Sequence, residues 1–378
     1  MLEVYLITLA LAVGLGLVAV IALLAASRTV RLAGFFHQGR GLAERPRWGG
    51  AAIFIAFALT PFIASAVSEK ASELFSPKSD EYLLFLAACA FVFAVGFLDD
   101  WKVLGWRPKL LAQVAAASAV YAAGYRIEEV GLPWGPEFDL GILAPVATVL
   151  WVVFFTNAIN LVDGRDGVAA GVAILAAVTL AQLAANADHP TVALLLVAVA
   201  GAGLGVLPFN LPPASAYLGD SGAYLMGFIL GSLSIRAATG VTDAVFVAVP
   251  LVALGFPILD TVLAAVRRLL DHRHPLVGDQ DHIHHRLEDT GFGPRGLLVV
   301  IYTVSVLFAG GAMLLHYVHV FVLELAVLIG TMLLVAIMLT KLGYVLSLWN
   351  SASLVWLRQR LRWVDEPAAS ALERQEQD

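Results

Sequence analysis

Eleven apolar stretches limit what this chain can fold into: residues 4–25, 50–67, 82–98, 110–125, 143–159, 168–185, 191–207, 223–235, 244–262, 297–315 and 320–340. A helix crosses a bilayer with about 20 consecutive apolar residues. The stretches approach that length, and the eighth does so if it runs on to Ala238. Only 14% of the 378 residues are charged and 60% are hydrophobic, with mean hydropathy +0.84. A soluble domain carries about 25% charge. The expected fold is therefore an all-α integral membrane protein, a polytopic bundle of about 11 transmembrane helices. The first stretch lacks a basic leader and an Ala-x-Ala-like end, so it reads as an anchor rather than a cleaved signal. Cys89 is the one cysteine, which excludes an internal disulfide.

Charge then orients the bundle. With the first loop, residues 27–49, taken as cytoplasmic, 19 of the 23 Lys and Arg fall on that side. This asymmetry follows the positive-inside rule. It predicts an outer N-terminus and a cytoplasmic C-terminus. Residues 1–343 form the expected polytopic membrane domain, with a cytoplasmic histidine loop over 264–296. Trp349, Trp356 and Trp363 recur every seven residues beside Arg358, Arg360 and Arg362. That pattern predicts an interfacial amphipathic helix over 344–366, followed by a polar, disordered tail over 367–378.

Every polar cluster with chemical potential falls on the cytoplasmic side. Residues 157–167 hold Asn160, Asp163, Arg165 and Asp166 at the end of an apolar run. If the helix continues, the spacing of three places both aspartates on one face. Neighbouring carboxylates repel unless a cation lies between them. The alternative is a polar turn between two helices. Asp99 and Asp100 close the third stretch, and Lys102, Arg107 and Lys109 follow, a basic run suited to phosphate. Adjacent helical residues point about 100° apart, so the two aspartates need not share a ligand. Asp220 precedes Ser221-Gly222 where the eighth stretch begins. It suits a helix cap or a magnesium-bound phosphate at a helix start. Asn210 is a candidate for hydrogen bonding to a sugar or base. His282, His284, His285 and Arg286 follow Asp279 and Asp281. Phosphate contact fits these better than structural zinc, because no cysteine supports zinc. Gly201, Gly203 and Gly205 lie in an apolar helix without a preceding strand, which reads as close helix packing rather than a nucleotide loop. Glu324 is an intramembrane carboxylate without an assigned role.

Four motifs together carry a resemblance: Gly96-Phe-Leu-Asp99-Asp100, Asn160-Leu-Val-Asp163-Gly-x-Asp166-Gly167, Asn210-x-x-Pro-Ala-x-x-Tyr-x-Gly-Asp220-Ser-Gly222, and Asp279-x-x-His282-Ile-His284-His285-Arg286. The chain resembles the polyprenyl-phosphate N-acetylhexosamine-1-phosphate transferases, glycosyltransferase family 4. The His-Ile-His-His form and Pro257-x-x-Asp260 resemble the branch that starts O-antigen, enterobacterial common antigen or teichoic acid linkage units. The muramoyl-pentapeptide branch typically has three consecutive histidines. Two departures stand out: Arg165, where the family usually has an aliphatic residue, and Gln280, where it is usually basic.

The resemblance implies transfer of N-acetylhexosamine 1-phosphate, most simply GlcNAc-1-phosphate, from a UDP-sugar to undecaprenyl phosphate, with UMP released. It implies Mg²⁺, with Mn²⁺ as substitute, on Asp220 and Asp163. Asp99, Asp100, Asp163 and Asp166 would be catalytic. Asn160, Asp166, Asn210, Lys109, His282, His284, His285 and Arg286 would hold nucleotide, sugar and phosphate. The expected location is the bacterial cytoplasmic membrane. Nucleic acid is not an expected partner, and a homodimer is an open expectation. The alternatives are a muramoyl-pentapeptide transferase and, from another class, a transporter. A transporter would place its ionisable groups near the midplane in two related halves, which this sequence does not do.

Overall fold

In lipid each backbone polar group must be satisfied inside its own segment, and the apolar stretches accordingly form helices. The computed structural model describes residues 1–29, 46–75, 79–131, 136–238, 245–271, 282–317 and 321–343. The long helices are α1 (Leu2–Thr29), α2 (Gly49–Val67), α4 (Ser79–Lys102), α5 (Trp106–Ala122), α6 (Ala144–Val162), α7 (Val168–Asn186), α8 (Pro190–Asn210), α9 (Gly219–Ala237), α11 (Gly255–Leu270), α13 (Pro294–Tyr317) and α14 (Phe321–Lys341). Shorter helices are α3 (Glu69–Phe75), α10 (Ala248–Ala253) and α12 (Ile283–Asp289). Among the described residues, 8 helices are long and apolar enough to cross a membrane: α1, α2, α4, α6, α7, α8, α13 and α14. The fold is that of a helical polytopic membrane protein. Helices α5, α9 and α11, at 17, 19 and 16 residues, fall short of that measure.

One local expectation fails. The stretch 244–262 is not one span. It contains β3 (Val245–Phe246), α10 and α11, with a break at Leu254. Pro257 has no N–H to give to Ala253 and sits in the first turn of α11, where a proline is tolerated, which fits a helix start at this point. The described fold is all-α apart from one small sheet. Strand β1 (Glu129–Gly131) pairs antiparallel with β2 (Glu137–Asp139) and parallel with β3. This small sheet joins the α5–α6 connection to the α9–α10 connection. The tail over 344–378, the residues Asp279, Gln280 and Asp281, and most of the first loop lie outside the described residues.

Helix α9 is the core element. It packs on α2, α4, α6, α7 and α8, and every residue in it is buried except Asp220 and Arg236. Close approach depends on absent side chains. A Cβ on Gly201 would stand 2.7 Å from the Ala12 Cβ, and one on Gly205 would stand 2.4 Å from the Val13 carbonyl oxygen. The glycines of α8 thus let α1 lie against it, the packing role expected of small residues in membranes. Cys89 is buried in the core.

Candidate active site

The C-terminal end of α4 meets the N-terminal end of α9, and the site grows from that junction. Gly96 permits it, because a Cβ there would lie 2.6 Å from the Ser221 Cα. One turn on, Asp99 and Asp100 diverge, as adjacent helical residues do. Asp100 turns to α9. Its Oδ1 accepts the Asp220 backbone N–H at 2.9 Å and its Oδ2 accepts that of Ser221 at 3.0 Å. The Arg47 Nη1 donates to the same carboxylate at 3.2 Å. Asp100 therefore caps α9 from another helix. The two readings offered for Asp220 change accordingly: Asp220 is not the cap, and these two N–H groups are not open to a phosphate.

Asp99 turns the other way. It accepts the Leu104 N–H and the Lys109 ammonium, both at 2.5 Å. Lys109 also lies 3.6 Å from the Asp220 Oδ2, so it bridges α4, α5 and α9. The Asp220 Oδ1 accepts the Asn160 side-chain N–H at 3.0 Å. Asp220 sits ahead of the apolar part of α9. Burial, then the neighbouring Asp99 and Asp100 carboxylates, push its acid up to about 7.

The turn after α6 differs from the helical expectation. Helix α6 ends at Val162 and α7 begins at Val168, with Gly167 at φ +80°. Asp163 directly follows the last residue of α6 and Gly167 is the left-handed residue that precedes α7, so Asp163 and Asp166 lie in the turn between the helices and do not share a helical face. The Asp166 Oδ2 accepts the Ala214 N–H at 2.9 Å. Asn210 is buried and fastens two loops, accepting from the Gly167 N–H at 3.1 Å and donating to the Ala216 carbonyl at 3.0 Å. Its amide is committed within the protein. Asp163 sits at the end of α6. Burial, with the charges of Asp220 and Asp100, pushes its carboxyl well above the usual range.

The histidine segment closes a second side. Asp260, buried on α11, takes the His282 Nδ1 at 2.7 Å and the Ile283 N–H at 2.8 Å. It thereby fixes the start of α12. His284 lies on Gly164 so closely that a Cβ there would be 2.3 Å from its Nε2. Burial, and the adjacent His285, depress His284 to about 4, so it is a neutral ring at pH 7. Among the described residues, the His284 Nε2 and His285 Nδ1 have no hydrogen-bond partner. The Arg286 Nη1 instead donates to the Leu342 carbonyl at 3.2 Å, holding α12 to the end of α14.

Arg165, the departure between the aspartates, has a partner from far along the chain. Its Nε and Nη2 meet the two Glu288 oxygens at 2.6 and 2.5 Å. The pairing raises Arg165 and lowers Glu288 from their ordinary values. It clasps the aspartate loop to α12. Sequence reasoning gave no role to Arg47, Asp260 or Glu288. Asp260 was visible in its motif; the other two had no signal beyond charge. Glu324 is buried in α14, and its Oε2 has no hydrogen-bond partner among the described residues.

These elements enclose a cavity of about 840 Å³. Asp163, Asp166 and Asp220 line it, together with Arg47, Arg165 and Arg295. Among the described residues no three His, Cys, Asp or Glu side chains form a ready metal cage. Magnesium does not need one, since it commonly takes one or two carboxylates and completes its shell with water and phosphate. Asp163 and Asp220 suit it: both carboxylates are raised by burial and by neighbouring negative charge.

The family profile of glycosyl transferase family 4 matches residues 82–238. That region holds three of the four motifs. A probable undecaprenyl-phosphate N-acetylglucosaminyl 1-phosphate transferase of Bacillus subtilis is 33% identical over 272 residues, covering 71% of this chain and 73% of the relative. A decaprenyl-phosphate N-acetylglucosaminephosphotransferase of Mycolicibacterium smegmatis is 32% identical over 290 residues, 71% of each chain. A phospho-N-acetylmuramoyl-pentapeptide-transferase of Staphylococcus epidermidis is 26% identical over 280 residues, 69% of this chain and 82% of the relative. Helical bundle and similarity together define a multi-pass membrane transferase. The chain belongs to glycosyl transferase family 4, the polyprenyl-phosphate N-acetylhexosamine-1-phosphate transferases.

Proposed function

We propose that this enzyme transfers GlcNAc-1-phosphate from UDP-GlcNAc to undecaprenyl phosphate at the cytoplasmic face of a bacterial inner membrane. A lipid phosphate oxygen forms a bond to the β-phosphorus of the donor. The bond from that phosphorus to the bridging oxygen breaks, and UMP leaves with the electron pair. The observation that carries this reading is the cavity at the ends of α6 and α9, lined by Asp163, Asp166 and Asp220. Two of these carboxylates are pushed up by burial and by neighbouring carboxylates, which suits a site finished by a cation and a phosphate. The bias of 19 of the 23 Lys and Arg to one side supports the cytoplasmic placement.

Asp220 and Asp163 would hold Mg²⁺, which when bound neutralises the donor diphosphate. Phosphoryl transfer asks mainly for positioning and charge neutralisation. Asp99 and Lys109 position the lipid phosphate, Lys109 being the cation that can exchange a carboxylate for a phosphate oxygen. Asp100 holds the start of α9, and through it the place of Asp220. Asn160 orients Asp220. His284 and His285 offer uncharged ring nitrogens to the phosphates or sugar.

The first test is UMP release from purified protein with Mg²⁺, undecaprenyl phosphate and either UDP-GlcNAc or UDP-muramoyl-pentapeptide. Release with the first and at least about 100-fold less with the second, roughly 2.7 kcal/mol of discrimination, is expected. The reverse order would move the protein to the peptidoglycan branch. Substrate flux in proteoliposomes without UMP would make it a transporter.

The Arg165–Glu288 clasp makes a separate prediction. Both side chains are partly exposed, so the pair contributes about 0.5–1 kcal/mol. Arg165→Glu and Glu288→Arg each lower turnover about two- to fivefold, and the double reversal recovers most of it in a double-mutant cycle. Additive losses in the double variant would refute the clasp.

A further inference from the structure

Three arginines line the cavity, and two of them are committed. Arg47 donates to Asp100 at 3.2 Å and Arg165 lies 2.5 Å from Glu288. Arg295, in the first turn of α13, has no ion pair and no hydrogen-bond partner among the described residues. Glycines at 293 and 296 flank its turn and add no side chain beside it. The acidic lining residues are Asp163, Asp166, Asp220 and Glu288, yet this one guanidinium has not collapsed onto any of them.

Helical spacing shows where its helix turn is fixed. Arg295, Leu298 and Tyr302 follow the steps of three and four that share one helix face. Tyr302 donates its hydroxyl to the Gly167 carbonyl at 2.7 Å. Leu298 packs on the same glycine, where a Cβ would come within 3.3 Å of it. The face of α13 that is pinned to the aspartate loop thus continues, at its N-terminal end, into Arg295. The pinned contacts are buried or half-buried, and they fix where the guanidinium begins.

We infer that Arg295 is a binding residue for a phosphate group in the cavity, read through its planar fork of N–H donors. The inference rests on the proposed transferase reading and adds to it a residue outside the four motifs. A guanidinium suits two phosphate oxygens at once, and a lysine at the same place offers only a point charge. Phosphates reach the cavity from two sources, the donor diphosphate and the lipid phosphate, and the chemistry is common to both.

The test compares wild type, Arg295→Ala and Arg295→Lys, each purified in detergent with its unfolding midpoint recorded. Losing a charged hydrogen bond costs about 10- to 150-fold, which corresponds to about 1.5–3 kcal/mol. Arg295→Ala is expected to raise one KM by at least about tenfold while kcat falls less, and Arg295→Lys to fall between. A rise in the KM for UDP-GlcNAc assigns the donor diphosphate, and a rise for undecaprenyl phosphate assigns the lipid. If both KM values stay within twofold of wild type, the inference is wrong and the transferase reading stands. If wild type itself releases no UMP, that reading fails, and UDP-GlcNAc binding by calorimetry decides the inference: equal affinity in wild type and Arg295→Ala overturns it. A lowered unfolding midpoint in Arg295→Ala, restored in Arg295→Lys with normal KM values, makes the residue merely structural and also overturns it.

Discussion

Asp220→Asn is expected to lower UMP release by about 10²–10³-fold while leaving the protein folded. The loss corresponds to about 2.7–4 kcal/mol, the range seen when one preorganised electrostatic group is removed from a reacting centre. Asp220 lines the cavity, accepts from Asn160 and lies beside Lys109. Its acid is pushed up to about 7 by burial and by Asp99 and Asp100. The sign of that shift separates structure from function. A carboxyl raised in the folded state binds more protons there than in the unfolded chain. Stability therefore falls as pH rises from the ordinary carboxylate range through about 7, and the penalty is fully present above it. In chelator at pH 8 the asparagine variant, which has no such charge, should unfold at or above the wild-type midpoint. Saturating magnesium should raise the wild-type midpoint and narrow or reverse the difference. Catalytic loss without loss of stability is the signature of a group held for a ligand. Normal magnesium-dependent turnover in the variant would remove Asp220 from the proposed metal site.

Much of the helical framework was legible because it is local. An apolar run of bilayer length needs no partner to declare itself. Those over 50–67, 168–185 and 191–207 lie inside α2, α7 and α8. The ninth run was misread because hydropathy does not register the missing donor at Pro257. The small sheet was invisible, since its three strands are two or three residues long and their partners lie more than 100 residues apart at β1 and β3. At the cavity, residue types were readable and their partners were not. Asp99 and Asp100 sit side by side, yet one faces Lys109 and the other faces the start of α9. Nothing in their spacing distinguishes them. Arg165 had no account until Glu288 arrived from 123 residues away. Asp163 and Asp166 read as one helical face, but α6 ends at Val162 and both fall in the turn before α7.

The glycine contacts at the start of α9 make the second large prediction. Gly50→Ala should destabilise the protein by about 1–3 kcal/mol, the cost of overpacking a filled interior. Its new Cβ would stand 2.3 Å from the Gly222 backbone nitrogen and 2.4 Å from the Ser221 Oγ. A flexible side-chain tip can yield, but the α9 backbone cannot. The start of α2 must retreat, and with it go two hydrogen bonds, from the Gly49 and Gly50 N–H groups to the Tyr217 and Leu218 carbonyls, both 2.9 Å. Tyr217, Leu218, Gly219 and Asp220 all line the cavity. The same substitution should therefore lower kcat by at least about tenfold even at temperatures where the protein stays folded, since small misplacements at a reacting centre are costly. Gly310→Ala on α13 is the matched control, because a Cβ there meets nothing within 4 Å. It should be neutral or stabilising by up to about 1 kcal/mol, as alanine is the better helix former. Unfolding midpoints in detergent and UMP release, read on both variants, separate the outcomes. Equal behaviour at positions 50 and 310 would mean that α2 does not fix the position of the α9 start, and the route from glycine packing to the placement of Asp220 would fail.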